Sequence, residues 1–320
     1  MAVTLRNIAD ICEMDVSTVS RALRDDPRVQ EETRKRIRAC AAELGYVPNL
    51  AARNLVSGKT LNLWMIIPDM DAAVSREPAR WLTESLKRQG YDLLIAVFHH
   101  DPEDFRHKML RLSQNVADGA FIIPIGDQIP DELVNLQKNG FPLVFMDRGL
   151  DLSGCTTVTT DNTGAAVELT KRCLDAGADK FVLFFREDNS AARDRMAGAE
   201  KVLNKNKIPY FAAKDASEIP AEFLHDGKLA FLASSPGQIA LTLDLHRACI
   251  PKRGLIAGVF DDWQGLTENF SHIFVCRQDF KSIAEQAAKV MLGKISSGKK
   301  ASGIIRIPSP GLFDFKNQFN

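Results

Sequence analysis

The first sixty residues constrain this chain more than any other part. Thr4 is placed to cap a helix running to about Cys12, with Leu5, Ile8, Ala9 and Cys12 at helical spacing. A break at Glu13-Met14 follows. Asp15 then caps a second helix that turns Val19, Ala22 and Leu23 inward, and Asp25-Asp26-Pro27 stops it. A third helix runs from about Glu31 to Leu44 through Ile37, Cys40, Ala41 and Leu44, and ends at Gly45, the residue that best tolerates the left-handed conformation. Two short helices joined by a tight turn and braced by a third make a helix-turn-helix, whose second helix enters the major groove of a duplex with its first residues at the base edges.

Those first residues are Val16 and Ser17, with Arg21 one turn along the same face. Arg21 alone among them can grip guanine O6 and N7 with two hydrogen bonds, worth about 1–3 kcal/mol of discrimination. Ser17 donates or accepts and so specifies weakly; Val16 offers only apolar contact, for example to a thymine methyl. The helix pattern alone equally describes a plain three-helix domain with Arg21 on a solvated face. The stretch after the third helix weighs against that.

Thr4-Leu5-Arg6-Asn7-Ile8-Ala9, Ser17-Thr18-Val19-Ser20-Arg21, Glu32-Thr33-Arg34, Gly45-Tyr46-Val47-Pro48-Asn49, Ala52-Arg53-Asn54-Leu55 and Gly58-Lys59-Thr60 resemble, in order and spacing, the lactose-repressor/galactose-repressor (LacI/GalR) family. The resemblance implies DNA contacts from Thr4, Val16, Ser17, Thr18, Arg21, Arg34, Asn49, Ala52, Arg53 and Leu55. It further implies a hinge helix over Asn49 to Ser57, too short to be stable alone in water, that orders on the operator beside its dimer mate. There Leu55 wedges between base pairs in the minor groove; packing of Leu55 beneath the core is the plainer alternative. One departure stands in the head: Glu13 occupies the turn where the family usually carries Gly or Asn, and a side chain there costs up to roughly 1–2 kcal/mol if the left-handed conformation is kept. Ser57-Gly58-Lys59-Thr60 imitates the end of a phosphate-binding loop, but Arg53 stands where that motif needs its first glycine, so nucleotide binding is not expected here.

From Leu61 onward apolar runs alternate with helical segments. Expected strands are Leu63–Pro68, Leu93–Phe98, Ala120–Ile125, Leu143–Met146, Phe181–Phe185, Leu229–Ala233, Ile256–Phe260 and Ile273–Cys276, with Gly90, Gly140 and Gly177 each separating a helix from the next strand. This rhythm means parallel sheets with helices on both faces. The fold class is therefore α/β: a three-helix head and a periplasmic-binding-protein-like core of two doubly wound parallel-sheet subdomains, as the resemblance also implies. The expected division is a head at 1–46, a hinge and linker at 47–60, and a core at 61–320. Within the core, 61–160 with 278–305 form one subdomain and 161–277 with 306–320 the other.

Ligands of parallel sheets gather beyond the carboxyl ends of the strands. Asp69, Asp147, Arg148, Arg186 and Asp261 fall there. The resemblance places Asp147-Arg148 on a cleft wall, Arg195 as a clamp on effector oxygens, Asp261 of Asp261-Asp262 as an acceptor of effector hydroxyls, and Gln278 in a crossover within reach of the ligand. Carboxylates and arginine suit a small polyhydroxylated effector, a sugar or sugar derivative. Each residue has a plainer reading as well: Asp161 reads first as a helix cap, Asp147 and Asp261 can also cap, and Arg186 can be surface charge. Arg186, Arg193 and Arg195 together lean weakly toward an anion. The family's frequent Asn-Asp is Ser235-Pro236 here, its Asn-Pro-Phe-Phe is replaced around Asp71-Ala72-Ala73-Val74-Ser75, and its Gly-His is Gly177-Ala178, so the pocket has drifted.

Composition excludes other classes. The chain has 41 basic and 41 acidic residues, and its first sixty carry ten Arg or Lys against eight Asp or Glu, so charge alone does not announce nucleic acid. The six cysteines are scattered without C-x-x-C pairs or zinc spacing, which fits small core residues in a reducing cytoplasm. No signal core and no span of about 20 apolar residues is present, so no membrane is expected. His99-His100, at a strand end, are expected at the surface, because neighbours on a strand face opposite ways and rarely share an ion. No catalytic motif appears, and neither a cofactor nor an enzyme is expected. The tail from Gly298 lacks a leucine heptad. The expectation is thus a cytoplasmic homodimer on a near-palindromic duplex operator, regulating transcription, with repression the simpler mode. Two alternatives stay open: a small-molecule-binding or enzymatic domain with a vestigial head, and a regulator whose pocket no longer responds to ligand.

Overall fold

The computed structural model describes residues 3–47, 58–185, 189–251, 254–261, 270–298 and 302–315. Asn49, Ala52, Arg53, Leu55, Arg186 and Asp262 lie outside the described residues. The chain divides into two compact units, Met1–Thr60 and Leu61–Asn320.

In the first unit, α1 (Leu5–Cys12), α2 (Val16–Leu23) and α3 (Glu31–Glu43) form the head. Thr4 opens α1 with a reciprocal cap: the Asn7 N–H donates to Thr4 Oγ1 at 3.4 Å and the Thr4 N–H donates to Asn7 Oδ1 at 2.9 Å. Asp15 opens α2, its Oδ1 accepting from the Ser17 N–H at 2.7 Å. Two acids, Glu31 and Glu32, occupy the first turn of α3 and complement its dipole. Ile8, Val19, Ala22 and Ile37 are fully buried where the three helices meet, and Val29 from the loop joins them.

Glu13 ends α1 at φ 51°, ψ 45°, so the left-handed turn is kept with a side chain in it. The Met14 N–H donates to Ala9 O at 3.0 Å across this turn, closing the helix as a glycine terminator would.

The second unit holds β1 (Asn62–Ile67), α4 (Ala73–Lys87), β2 (Asp92–Val97), α5 (Pro102–Leu112), β3 (Gly119–Ile122), α6 (Asp131–Lys138), β4 (Leu143–Met146) and β5 (Thr156–Thr160). Then come α7 (Asn162–Asp175), β6 (Lys180–Phe184), α8 (Ser190–Asn206), β7 (Tyr210–Ala212), α9 (Ala221–Leu224), β8 (Leu229–Ala233) and α10 (Gly237–Leu245). The last elements are β9 (Leu255–Phe260), β10 (Phe270–Cys276), α11 (Phe280–Ser297), β11 (Gly303–Ile307) and β12 (Leu312–Asp314). Two six-stranded sheets result, ordered β11-β5-β4-β3-β1-β2 and β12-β10-β9-β8-β6-β7. Every pairing is parallel except β10 with β12.

Both faces of each sheet are covered, so strands read as continuous apolar runs. In β1, Met65 and Ile67 pack under α4 and α11 with Leu82, Ile283 and Met291, whereas Trp64 and Ile66 face Phe105, Met109 and Leu133 of α5 and α6. In the second sheet Phe181 and Leu183 meet Leu169 and Leu203 of α7 and α8. Those two helices touch closely enough that a Cβ on Gly198 would stand 2.5 Å from Thr163 O.

The chain crosses between sheets three times: from β5 into α7, from β10 into α11, and from β11 to β12. These crossings put the carboxyl ends of both sheets on the two sides of one cleft. No described helix is long and apolar enough to cross a membrane.

Replacing Glu13 by Gly should relieve the left-handed turn. Part of the gain is cancelled by the greater freedom glycine gives the unfolded chain, leaving about 1 kcal/mol of net stabilisation. Hydrogen exchange of the α1 and α2 amides in the full chain should slow accordingly; unchanged or faster exchange would show the turn to be unstrained.

Candidate functional site

On the head, Asp15 pins the start of α2 and leaves Val16, Ser17 and Arg21 exposed on one side, with Thr18 half-buried. Hydrogen bonding from Ser17 holds the Asp15 carboxyl below the usual range. Thr4 is exposed at the start of α1. Arg34 pairs with Glu31 and its Nη1 donates to Asp25 O at 3.3 Å, tying α3 to the loop after α2.

In the core, a cleft of about 860 Å³ is lined by Asp69, Asp147, Arg148, Arg195 and Asp261 among others. The structure therefore gathers five of the six expected effector residues from the ends of β1, β4 and β9 and from α8. Asp147 and Asp261 occupy matching positions. Each follows the last residue of a strand in the left-handed conformation, at φ 64° and φ 57°. Asp147 caps no helix among the described residues.

Arg195 is buried, and its neighbours neutralise the cost of burial. Its Nε donates to Asn162 Oδ1 at 2.8 Å, its Nη1 donates to Ser234 Oγ at 3.1 Å, and its guanidinium carbon stands 3.8 Å above the Phe260 ring centroid. Asn162 in turn donates from Nδ2 to Thr159 Oγ1 and Thr160 O, both at 3.2 Å. The Thr159 hydroxyl donates to Asp147 O. A hydrogen-bonded chain thus runs from Arg195 to the backbone of Asp147.

Gln278 does not line the cleft. It sits behind Asp261, whose Oδ1 accepts from the Gln278 N–H at 2.9 Å and whose Oδ2 accepts from Nε2 at 2.6 Å; Gln278 Oε1 accepts from the Thr160 hydroxyl at 2.5 Å. Burial nevertheless pushes the Asp261 carboxyl above the usual range, opposed by Gln278 and Arg195 and aided by the nearby charge of Asp147.

Asp69 is largely spent on its own loop. Its Oδ1 accepts from the amides of Asp71 at 2.9 Å and Ala72 at 2.8 Å, and its Oδ2 lies 3.0 Å from His100 Nε2. Burial raises its pKa, but the Ala72 amide, His100 and the Asp71 amide together outweigh that and hold it low. Arg148 places Nε 3.2 Å from Asp147 Oδ2.

Sequence reasoning did not single out Asn162, Thr159 or Ser234, and it treated His100 as a surface residue without placing it at the cleft. Both histidines follow β2 in left-handed conformations, at φ 48° and φ 57°; both are exposed, as expected, and His100 also joins the cleft wall. Asp161 does cap α7, accepting from the Gly164 N–H at 3.1 Å. Arg193 pairs with Asp127 rather than facing the cleft. No group of His, Cys, Asp or Glu among the described residues could hold a metal ion.

Two predictions follow from this geometry. Asn162→Ala strips partners from Arg195, Thr159 and Thr160 at once, and urea unfolding of the core should lose at least about 2 kcal/mol; a loss under half of that would show the relay to be replaceable. Carboxyl titration followed by ¹³C NMR should separate Asp261 from Asp69. Asp261 binds its proton more tightly folded than unfolded, so its contribution to stability is present below 3.8 and lost as pH rises through its folded pKa. Asp69 does the reverse, contributing above 3.8 and losing its contribution as pH falls through its lowered pKa. Midpoints in the opposite order would refute the assignment of these environments.

Residues 4–49 match the family model described as bacterial regulatory proteins, lacI family, and residues 60–216 match that of periplasmic binding proteins and the sugar binding domain of the LacI family. The Ribose operon repressor of Bacillus subtilis (strain 168) is 28% identical over 322 residues, covering 95% of each chain. Catabolite control protein A of Staphylococcus aureus (strain MRSA252) is 31% identical over 210 residues, 65% of this chain and 63% of that one. Among solved structures, the lac repressor dimer bound to operator and the anti-inducer ONPF superposes with a TM-score of 0.76 at 17% identity, over 98% of both chains, a likeness of fold. With both matched segments in the order the head and core require, the chain belongs to the LacI family of bacterial regulatory proteins.

Proposed function

We propose that this chain is a homodimeric, sequence-specific DNA-binding regulator of transcription, acting in the cytoplasm as a repressor, whose grip on a near-palindromic operator is set by a small polar effector in the core cleft. The observation that carries it is α2: Asp15 fixes its first turn, and Val16, Ser17 and Arg21 stand exposed together on a helix whose other face is the head core. Arg21 reads a guanine, Ser17 and Val16 refine the neighbouring bases, and Thr4 and Thr18 contact the backbone. Arg34, held by Glu31 and Asp25, steadies α3 and reaches a phosphate only by exchanging Glu31 for it. Asn49, Ala52, Arg53 and Leu55 form the minor-groove stem, with Leu55 as the wedge.

The cleft binds rather than catalyses. A hydroxylated ligand, a sugar or sugar derivative, supplies donors to Asp147 and Asp261 and acceptors to Arg148 and Arg195. That two relatives are named a ribose operon repressor and a catabolite control protein supports this ligand class. The effector must bind two arrangements of the core unequally, or operator affinity would not respond.

Selection of preferred duplexes from a random pool with the purified chain should return two half-sites about one helical turn apart. Arg21→Ala should relax one base pair in each half-site, a loss of about 1–3 kcal/mol in discrimination, and Leu55→Ala should reduce bending of the selected duplex. Equal retention of selected and scrambled duplexes at every ionic strength would overturn the reading. Repeating the selection with sugars, sugar phosphates and carboxylic acids tests the cleft, and unaltered affinity throughout would remove the effector from the proposal.

A further inference from the structure

We propose that the core carries a second ligand site, beside the effector cleft, that takes a zwitterionic α-amino acid with an apolar side chain. A cavity of about 580 Å³ lies between the loop joining β4 to β5 and the first turn of α8. That volume is in the range of sites that enclose a small molecule. Among the described residues it shares Ala191 alone with the lining of the cleft. Asn162 and Thr159 line it too, so its floor is the hydrogen-bonded chain that braces Arg195.

The walls are tied down from several sides. Lys294 Nζ donates to Gly154 O at 3.0 Å, the Gly303 N–H donates to Cys155 O at 3.2 Å, and the Gly149 N–H donates to Ser190 Oγ at 3.1 Å. The loop is thus fixed to α11, β11 and α8 before any ligand enters.

Two hydroxyls inside the cavity have a hydrogen to give and no acceptor. Thr157 shares a face of β5 with Thr159. It lines the cavity and is 7% exposed, yet its hydroxyl has no hydrogen-bond partner among the described residues. Glycine at 149 keeps it open, since a Cβ there would stand 2.1 Å from Thr157 Oγ1. Ser190 spends its oxygen on the Gly149 amide, but its hydroxyl hydrogen has no acceptor among the described residues. A buried hydroxyl left unpaired costs free energy, and a ligand carboxylate accepts from both. The first turn of α8 adds partial positive charge at the same end.

The opposite charge stands one turn away. Asp194 follows Ser190 by four residues on α8, so both project from one face of the helix, and both line the cavity. An α-amino acid with its carboxylate on Ser190 and Thr157 therefore brings its ammonium to Asp194. Arg306 Nη2 stands 3.8 Å from Asp194, too far for a hydrogen bond, and leaves that carboxylate able to accept. Leu150, Leu152 and Ile129 supply apolar wall for the ligand's side chain. A simple anion would meet Asp194 unpaired. A simple cation would leave both hydroxyl hydrogens without an acceptor and face the α8 dipole. The zwitterion answers both ends.

The full chain should be titrated calorimetrically with L-leucine and L-phenylalanine, up to about 10 mM. At least one is expected to bind. The matching amines (isopentylamine, phenethylamine) and acids (4-methylpentanoate, 3-phenylpropanoate) should each bind about tenfold more weakly, because each lacks one charge-assisted hydrogen bond. Thr157→Val removes only the unpaired hydroxyl. Its melting temperature should be unchanged or higher, while amino-acid affinity falls roughly fivefold. Asp194→Asn should weaken the amino acid about tenfold without weakening the acid. Should Thr157→Val unfold, Asp194→Asn still decides. The inference fails if neither amino acid binds, if an amine or acid binds as tightly as its zwitterion, or if the folded variants keep wild-type affinity, which would put the ligand elsewhere. No step of the test involves DNA or the effector, so its failure leaves the DNA-binding reading untouched.

Discussion

Arg195 is a buried charge, and the cleft exists in its present form because Asn162 makes that burial tolerable. An isolated guanidinium inside the core would cost several kcal/mol. Asn162 gives its carbonyl oxygen to Arg195 and spends both amide hydrogens at the end of β5, on Thr159 and Thr160. It stands where the chain first crosses from one sheet to the other. Gln278 performs the same service at the second crossing, engaging both oxygens of Asp261 and accepting from Thr160. The charged groups of the cleft are therefore held by the crossovers rather than by the walls.

That arrangement links ligand chemistry to lobe geometry. A hydroxyl that bonds to Asp261 competes with Gln278 for the same oxygens, and an acceptor that engages Arg195 pulls on a group tied through Asn162 to β5. In either case the perturbed hydrogen bonds span the crossings. The residues lining the cleft share hydrogen-bond partners with the segments that connect the two sheets. The drift from the family's usual wall residues is consistent with this, because Ser234, next to the substituted Ser235-Pro236, still supplies an oxygen to Arg195.

Much of this was legible in the sequence, for reasons that also explain the rest. The head could be read because its information is local: caps at Thr4 and Asp15, a terminator at Gly45, and apolar spacing between them. Eight strands of the core announced themselves as apolar runs. β5 did not, since four of its five residues are threonines, and the buried hydroxyls of Thr159 and Thr160 donate to partners 12 and 118 residues away. β7 and β12 span three residues each, too short for any period, and β11 is an edge strand with alternating exposure. In the cleft, Asp147, Asp261 and Arg195 stood out by position after strands or by motif. Asn162 was masked by the neighbouring cap Asp161, and its partners lie up to 33 residues away along the chain. His100 is at the surface as expected, but its place on the cleft wall depends on a left-handed backbone at two successive histidines, which has no sequence signature.

The near-neutral charge of the head, which argues against nucleic acid when counted, has a structural explanation. Arg28 pairs with Asp26, Arg34 with Glu31 and Arg38 with Asp25, so much of its basic charge is balanced locally. Ion pairs at the surface contribute little to stability. A phosphate, with its released counterions, competes with such a carboxylate on favourable terms. On the proposed reading, the acids keep these arginines ordered off DNA and yield them on it. Arg21 stands exposed on the face of α2 proposed to read bases, where a planar fork can distinguish bases as well as attract the backbone. On the same proposed reading, selectivity in this head comes from Arg21 on a capped helix, and a surplus of positive charge would weaken it by raising affinity for every duplex alike.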